Sequence, residues 1–101
     1  MDKQAKLQTL LEELLGSRNV YYEPPASLLM KYPAIRYSLS DIDAKYADNF
    51  SYSIRNRYEL VVIDYLPDNE VIQKILDLPL SSFDRRYNQD GLVHDVITLY
   101  Y

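Results

Sequence analysis

The side chains that could do chemistry in this chain are few. The one histidine, His94, stands beside Asp95, and an imidazole next to a carboxylate is the general-base half of nucleophilic catalysis. Both fall in a stretch with strand periodicity, where neighbouring residues point to opposite faces, so the two cannot address one substrate. A single histidine without cysteine is also a poor metal site. The chain has no cysteine at all, which removes thiolate zinc ligands, disulfides and cysteine nucleophiles. Asp41, Asp43 and Asp48 are spaced as calcium ligands could be. Their stretch lacks the glycine and the closing bidentate glutamate of an EF-hand loop, however, and Lys45 sits in its middle, so it reads as a solvated acidic loop. Two glycines, Gly16 and Gly91, cannot build a glycine-rich phosphate cradle. The expectation is a protein that is not an enzyme, with no catalytic residue, no cofactor and no metal.

Composition sets the frame in which such residues would have to be positioned. The chain has 101 residues, 48% hydrophobic and 26% charged, the balance of one globular domain over residues 1–101. A net charge of −4 argues against specific binding to nucleic acid or to an anionic membrane, since backbone binding needs a surplus of Lys and Arg. The longest basic cluster is Arg85-Arg86, with Asp90 soon after. The longest apolar run, Leu60 to Ile63, is far short of a membrane span, and Met1-Asp2-Lys3-Gln4 does not open a secretory signal, so an aqueous compartment is expected. Tyrosine occurs eleven times against two Phe and no Trp. Its apolar ring and polar tip suit both the rim of a small sheet core and protein–protein interfaces, and eleven together tilt toward interface use.

The elements follow from periodicity. Leu7, Leu10, Leu11, Leu14 and Leu15 form one stripe of an amphipathic helix over Asp2 to Leu15, capped by Asp2 and stopped by Gly16. Asn19 to Tyr22 reads as a short strand broken by Pro24-Pro25, and Ser27 to Lys31 as one turn of helix. Ile35, Tyr37 and Leu39 alternate with Ala34, Arg36 and Ser38, a half-buried strand. From Ser40 to Asn49 the Ser, Asp and Asn residues are turn chemistry, which predicts an exposed loop. Phe50 to Tyr65 is a strand apolar on both faces near its end, hence central or covered on both sides. Pro67-Asp68 opens a second helix, capped by Asp68, with Val71, Ile72, Ile75 and Leu76 as its stripe and Pro79 at its end. Phe83 to Tyr87 and Leu92 to Tyr101 form a hairpin around Asn88-Gln89-Asp90-Gly91. The predicted fold class is α+β, in the order α-β-β-α-β-β: a mostly antiparallel sheet of about four strands with two helices packed on one face.

Three stretches, taken in order, carry a family likeness. The first is Tyr32-Pro33-Ala34-Ile35-Arg36-Tyr37-Ser38-Leu39-Ser40-Asp41-Ile42-Asp43, leading into Lys45-Tyr46-Ala47-Asp48-Asn49. The second is Arg57-Tyr58-Glu59-Leu60-Val61-Val62-Ile63-Asp64 with Pro67-Asp68. The third is Ser82-Phe83-Asp84-Arg85-Arg86-Tyr87, with Leu92-Val93-His94-Asp95 and Thr98-Leu99-Tyr100. Together they resemble the tail terminator, or tail completion, proteins of long-tailed phages, over residues 20–101; the N-terminal helix matches only in kind. The resemblance implies an α+β subunit, typically assembled as a hexameric ring on the head-proximal end of the tail tube. Such a ring stops tube growth and docks the tail to the head. Its implied partners are other copies of itself, the tail tube protein and the head connector or stopper. DNA passes through the lumen without specific binding, and no membrane is involved. The implied location is the virion tail, and the host cytoplasm during assembly. The alternatives are a head-side connector or stopper subunit, or a small phage-encoded module that binds a host protein.

The expected interface residues are the polar ones of the two loops: Asp41, Asp43, Lys45, Tyr46, Asp48 and Asn49, then Asn88 and Asp90. Acidic side chains lining a channel would keep DNA from sticking to it. Replacing Asp41 and Asp43 by Lys is therefore expected to alter DNA ejection, followed by fluorescence of a DNA-binding dye; an unchanged rate would count against these residues lining the lumen.

Overall fold

The leucine stripe builds the first element. Helix α1 (Lys3–Leu15) begins where Asp2 Oδ1 accepts from the Ala5 amide at 2.8 Å. It stops at Gly16, whose φ of 81° suits glycine and whose amide reaches the Glu12 carbonyl at 2.9 Å. Leu7 and Leu11 are completely buried, and Leu10, Leu14 and Leu15 pack at the rim. The computed structural model describes residues 2–47 and 51–101.

The remaining elements are β1 (Val20–Tyr22), β2 (Ala34–Ala47), β3 (Ser51–Asp64), α2 (Val71–Leu76), β4 (Ser81–Gln89) and β5 (Leu92–Tyr100). The strands form one sheet in the order β1-β2-β3-β5-β4. The β1–β2 pair is parallel and the other pairs are antiparallel. The fold is thus α+β, as expected, but the sheet has five strands rather than about four and is mixed. β1 lies where a short strand is expected, and it is held because Ile35 N donates to Asn19 O at 2.9 Å and Glu23 N to Tyr37 O at 2.9 Å.

Alternation sorts the sheet into two faces. Ile35, Tyr37, Tyr58, Leu60, Val62, Ile97 and Leu99 meet Leu7 and Leu11 of α1 and Val71 and Ile75 of α2 in the larger core. On the opposite face Val61, Ile63, Leu92 and Val96 lie under Met30 and Tyr32 of the β1–β2 connection, with Tyr87. β3 contributes to both cores, which is why its sequence is apolar on both sides. Tyr37 ties the layers together: its hydroxyl accepts from Gln4 Nε2 at 2.8 Å and donates to Gln8 Oε1 at 2.6 Å. Gln8 Nε2 in turn donates to the Val20 carbonyl at 2.9 Å. Burial raises the Tyr37 pKa. Desolvation, with Glu23 second, pushes Tyr22 up to about 12, so both hydroxyls stay protonated near neutral pH. Tyr37 also packs against Tyr22 and Tyr58, with ring centroids 4.9 Å and 6.0 Å away. Part of the tyrosine excess therefore serves the core.

Three local expectations are corrected. Ser40 to Ala47 is not a loop but the outer half of β2, paired with β3; cross-strand pairing overrides the local turn preference of Ser and Asp. Asp68 does not cap α2. Asn69 Oδ1 accepts from the Val71 amide at 2.9 Å, while Asn69 Nδ2 donates to Asp64 Oδ2 at 2.8 Å, which anchors the cap to the end of β3. Residues 27–31 form no helix; a single turn closes where the Leu28 amide donates to Pro25 O at 3.0 Å.

Because Leu11 is fully buried between α1 and the sheet, Leu11→Ala is expected to lower stability by about 2–5 kcal/mol. A shift in the urea unfolding midpoint at unchanged slope is the readout; a change too small to resolve would mean that α1 does not close this core.

Candidate interaction surface

The acidic stretch of β2 and the strand opposite it make a projecting arm. Pairing runs from Ala34↔Ile63 to Leu39↔Tyr58, skips one residue at Ser40, and resumes from Asp41↔Arg57 to Ala47↔Ser51. β1 stops beside Tyr37, and β5 stops beside Arg57, where Tyr101 exchanges two hydrogen bonds with Asn56 at 2.9 and 3.3 Å. Past those points β2 and β3 have only each other. At a strand rise of about 3.3 Å per residue the ribbon extends roughly 20 Å beyond the body, consistent with overall dimensions of 50 × 24 × 22 Å.

The base of the arm is pinned by the bulge. Ser40 Oγ donates to the Arg57 carbonyl at 2.8 Å and accepts from Arg57 Nε at 3.2 Å. Arg57 also reaches Asp41 at 3.8 Å, an exposed ion pair worth little by itself. Ile42 is 58% exposed, because no helix or connection covers the ribbon there. An unsupported two-stranded ribbon is marginally stable in water, and this one presents backbone and the Ile42 side chain that a neighbour could cover.

The structure places the expected interface residues in two separate groups. Asp41 lies at the base of the arm. Asp43, Lys45 and Tyr46 lie farther out on β2, in register with Arg55, Ser53 and Tyr52 of β3. Asp48 and Asn49 fall outside the described residues. Asn88 and Asp90 are at the opposite end of the sheet and on its opposite side. Asn88 is in β4, and Asp90 forms with Gly91 a two-residue turn whose φ values, 55° and 75°, are those of the tight hairpin expected there. One partner surface cannot join both groups within a single copy.

Sequence reasoning missed the ion pair that fastens β4. Arg86 stands directly across from Asp95; its Nε donates to Oδ1 at 2.6 Å and Nη2 to Oδ2 at 3.2 Å. Nη2 also donates to the Pro67 carbonyl at 2.7 Å. The Asp95 side chain is 3% exposed, and the Asp95 contact is the main cause of the raised Arg86 pKa. The signal was available: a two-residue turn at Asp90-Gly91 sets the register that brings Arg86 opposite Asp95. His94 faces the other side, stacked on Tyr87 at 4.7 Å with Nδ1 3.1 Å from the Leu92 carbonyl, so the two neighbours are separated as expected.

Two concavities lie among the described residues. A half-open polar cleft of about 320 Å³ lies between Glu23, Arg36, Ser38 and Glu59. An apolar groove of about 310 Å³ runs between Leu10, Leu78, Leu80, Tyr100 and Tyr101. Leu80 at its rim is half exposed at φ 63°, an uncommon conformation for a bulky residue. Among the described residues no group of three His, Asp or Glu side chains could hold a metal ion, and no helix is long and apolar enough to cross a membrane. No protein-family model matches the chain, and no curated protein matches it in sequence.

Removing Arg86 alone would leave the Asp95 carboxylate buried without its partner. Arg86→Ala is expected to lower the thermal midpoint more than the double change Arg86→Ala/Asp95→Asn, followed by circular dichroism; equal midpoints would mean that Asp95 finds water or another donor.

Proposed function

We propose that this protein is a structural subunit of a phage virion, one protomer of a ring that caps the head-proximal end of the tail tube. The ring, hexameric in the family the chain resembles, stops tube growth and docks the tail to the head. The observation that carries this reading is the ordered series of stretches from Tyr32 to Asn49, Arg57 to Asp68 and Ser82 to Tyr100.

The architecture supports it physically. A small α+β body with a long two-stranded arm and an exposed outer strand at the far side of its sheet suits assembly through neighbouring copies. The work of such a ring is mechanical: it blocks addition of further tube subunits on one side and offers a docking surface on the other. Its partners are itself, the tube protein and the head connector or stopper. A net charge of −4 is compatible with a lumen along which DNA slides without being held. In this reading the protein acts in the virion, after assembly in the host cytoplasm, and needs no cofactor.

The test is electron microscopy of lysates from a phage carrying a nonsense mutation in this gene. Abnormally long or headless tails are the expected result. Normal-length tails beside unjoined, DNA-filled heads would move the protein to the head side. Intact infectious particles would overturn a structural role and favour a module acting on a host protein.

A further inference from the structure

Among the described residues the sheet ends in two open edges, each with charged residues along it. β4 is the last strand on one side, nine residues long and exposed along most of its length. Among the described residues no strand lies against its outer edge. On the other side β1 covers β2 only from Ile35 to Tyr37, so the edge of β2 is bare from Ser38 to Ala47. β4 carries Asp84, Arg85 and Arg86, the last held by Asp95, and the bare part of β2 carries Asp41, Asp43 and Lys45. Arg85 is engaged with Asp84, its neighbour in the chain, and Asp41 reaches Arg57 at 3.8 Å. Arg85, Asp84 and Asp41 are about half exposed or more, and Arg57 is 41% exposed. Exchanging such pairs for new ones costs little.

We infer that β4 of one copy adds to the bare edge of β2 of the next, continuing the sheet from subunit to subunit. This rests on the ring reading for its occupant, a second copy of this chain. Three features favour that occupant over an unrelated strand. First, the edges lie on opposite sides of one sheet, so each copy can use both at once, giving the head-to-tail contact from which rings are made. Second, β2 and β4 run in opposite directions within the sheet, so a continued sheet pairs them antiparallel. Third, Arg85 on β4 and Asp41 on β2 are exposed and of opposite sign, so their local pairs can be exchanged for one between copies. Ser81 lies level with Leu39, through Leu99 and Tyr58. Each added copy is therefore displaced along β2 toward the arm, and a closed ring accommodates this by tilting its strands against the axis. The added strand also gives the arm the third member that a two-stranded ribbon lacks.

Gln89 and Leu92 close the hairpin as a paired couple, so the Asn88 amide points away from β5. Asn88→Pro removes that outward donor and leaves the β4–β5 ladder intact, and Asn88→Ala is its control. Arg85→Glu opposes the acidic edge, and the triple change Arg85→Glu/Asp41→Lys/Asp43→Lys restores complementarity. Assembly of the purified full chain is followed by sedimentation velocity, with far-ultraviolet circular dichroism to verify folding. Asn88→Pro and Arg85→Glu are expected to weaken self-association at least roughly tenfold, while Asn88→Ala and the triple variant associate like the unaltered chain. If the unaltered chain assembles and folded Asn88→Pro and Arg85→Glu assemble equally well, edge pairing is overturned and the ring reading stands. If the unaltered chain stays monomeric at every concentration, edge pairing is overturned and the ring reading loses its support in solution.

Discussion

Everything in this protein is arranged around β3, and specifically around the unequal lengths of its two pairings. It matches β2 along nearly its whole length but β5 only from Arg57 to Asp64. The shared half is buried on both faces, under the helices on one side and under Met30 and Tyr32 on the other. The unshared half is paired with β2 and not with β5, and forms the arm. One strand thus supplies both the centre of the core and the part that leaves the body.

The helices depend on that centre rather than the reverse. α2 has only six residues and would not persist alone in water. It is held by Val71 and Ile75 in the core and by a cap that leads back, through Asn69, to Asp64 at the end of β3. α1 is longer, yet its glutamines are as telling as its leucines, since Gln4 and Gln8 close on Tyr37 and fix the helix over β1 and β2. Among the described residues no buried side-chain nitrogen or oxygen lacks a partner. Among those residues the polar groups inside the body hold the layers together.

The surface divides accordingly. Stability is concentrated where β2, β3 and β5 overlap, and the groups available to other molecules lie at the periphery: the arm, the outer edge of β4 and the groove beside Leu80. Open strand edges on a small domain are the feature on which the proposed ring draws.

Much of this was legible in the residues, and the limits are instructive. The leucine stripe with Asp2 and Gly16, the two apolar faces of β3 and the Asp90-Gly91 hairpin are short-range patterns, and each folds as its period demands. The stretch from Ser40 to Ala47 was misjudged, although Asp41, Asp43 and Lys45 alternate with Ile42, Ala44 and Tyr46 at the period of a strand. The Ser and Asp residues of that stretch suit a turn as well as a strand, and the pairing with β3 decides between them. Likewise Asp68 offers an equally good local cap, and only the proximity of Asp64 selects Asn69. The sequence by itself determined which segments are helix or strand wherever one face is buried, because burial writes a period into the chain. The tertiary structure alone decided how far β2 and β3 continue past the core, which edges remain open and which charges lie on them. Those depend on where β1 and β5 stop, and no local pattern encodes that.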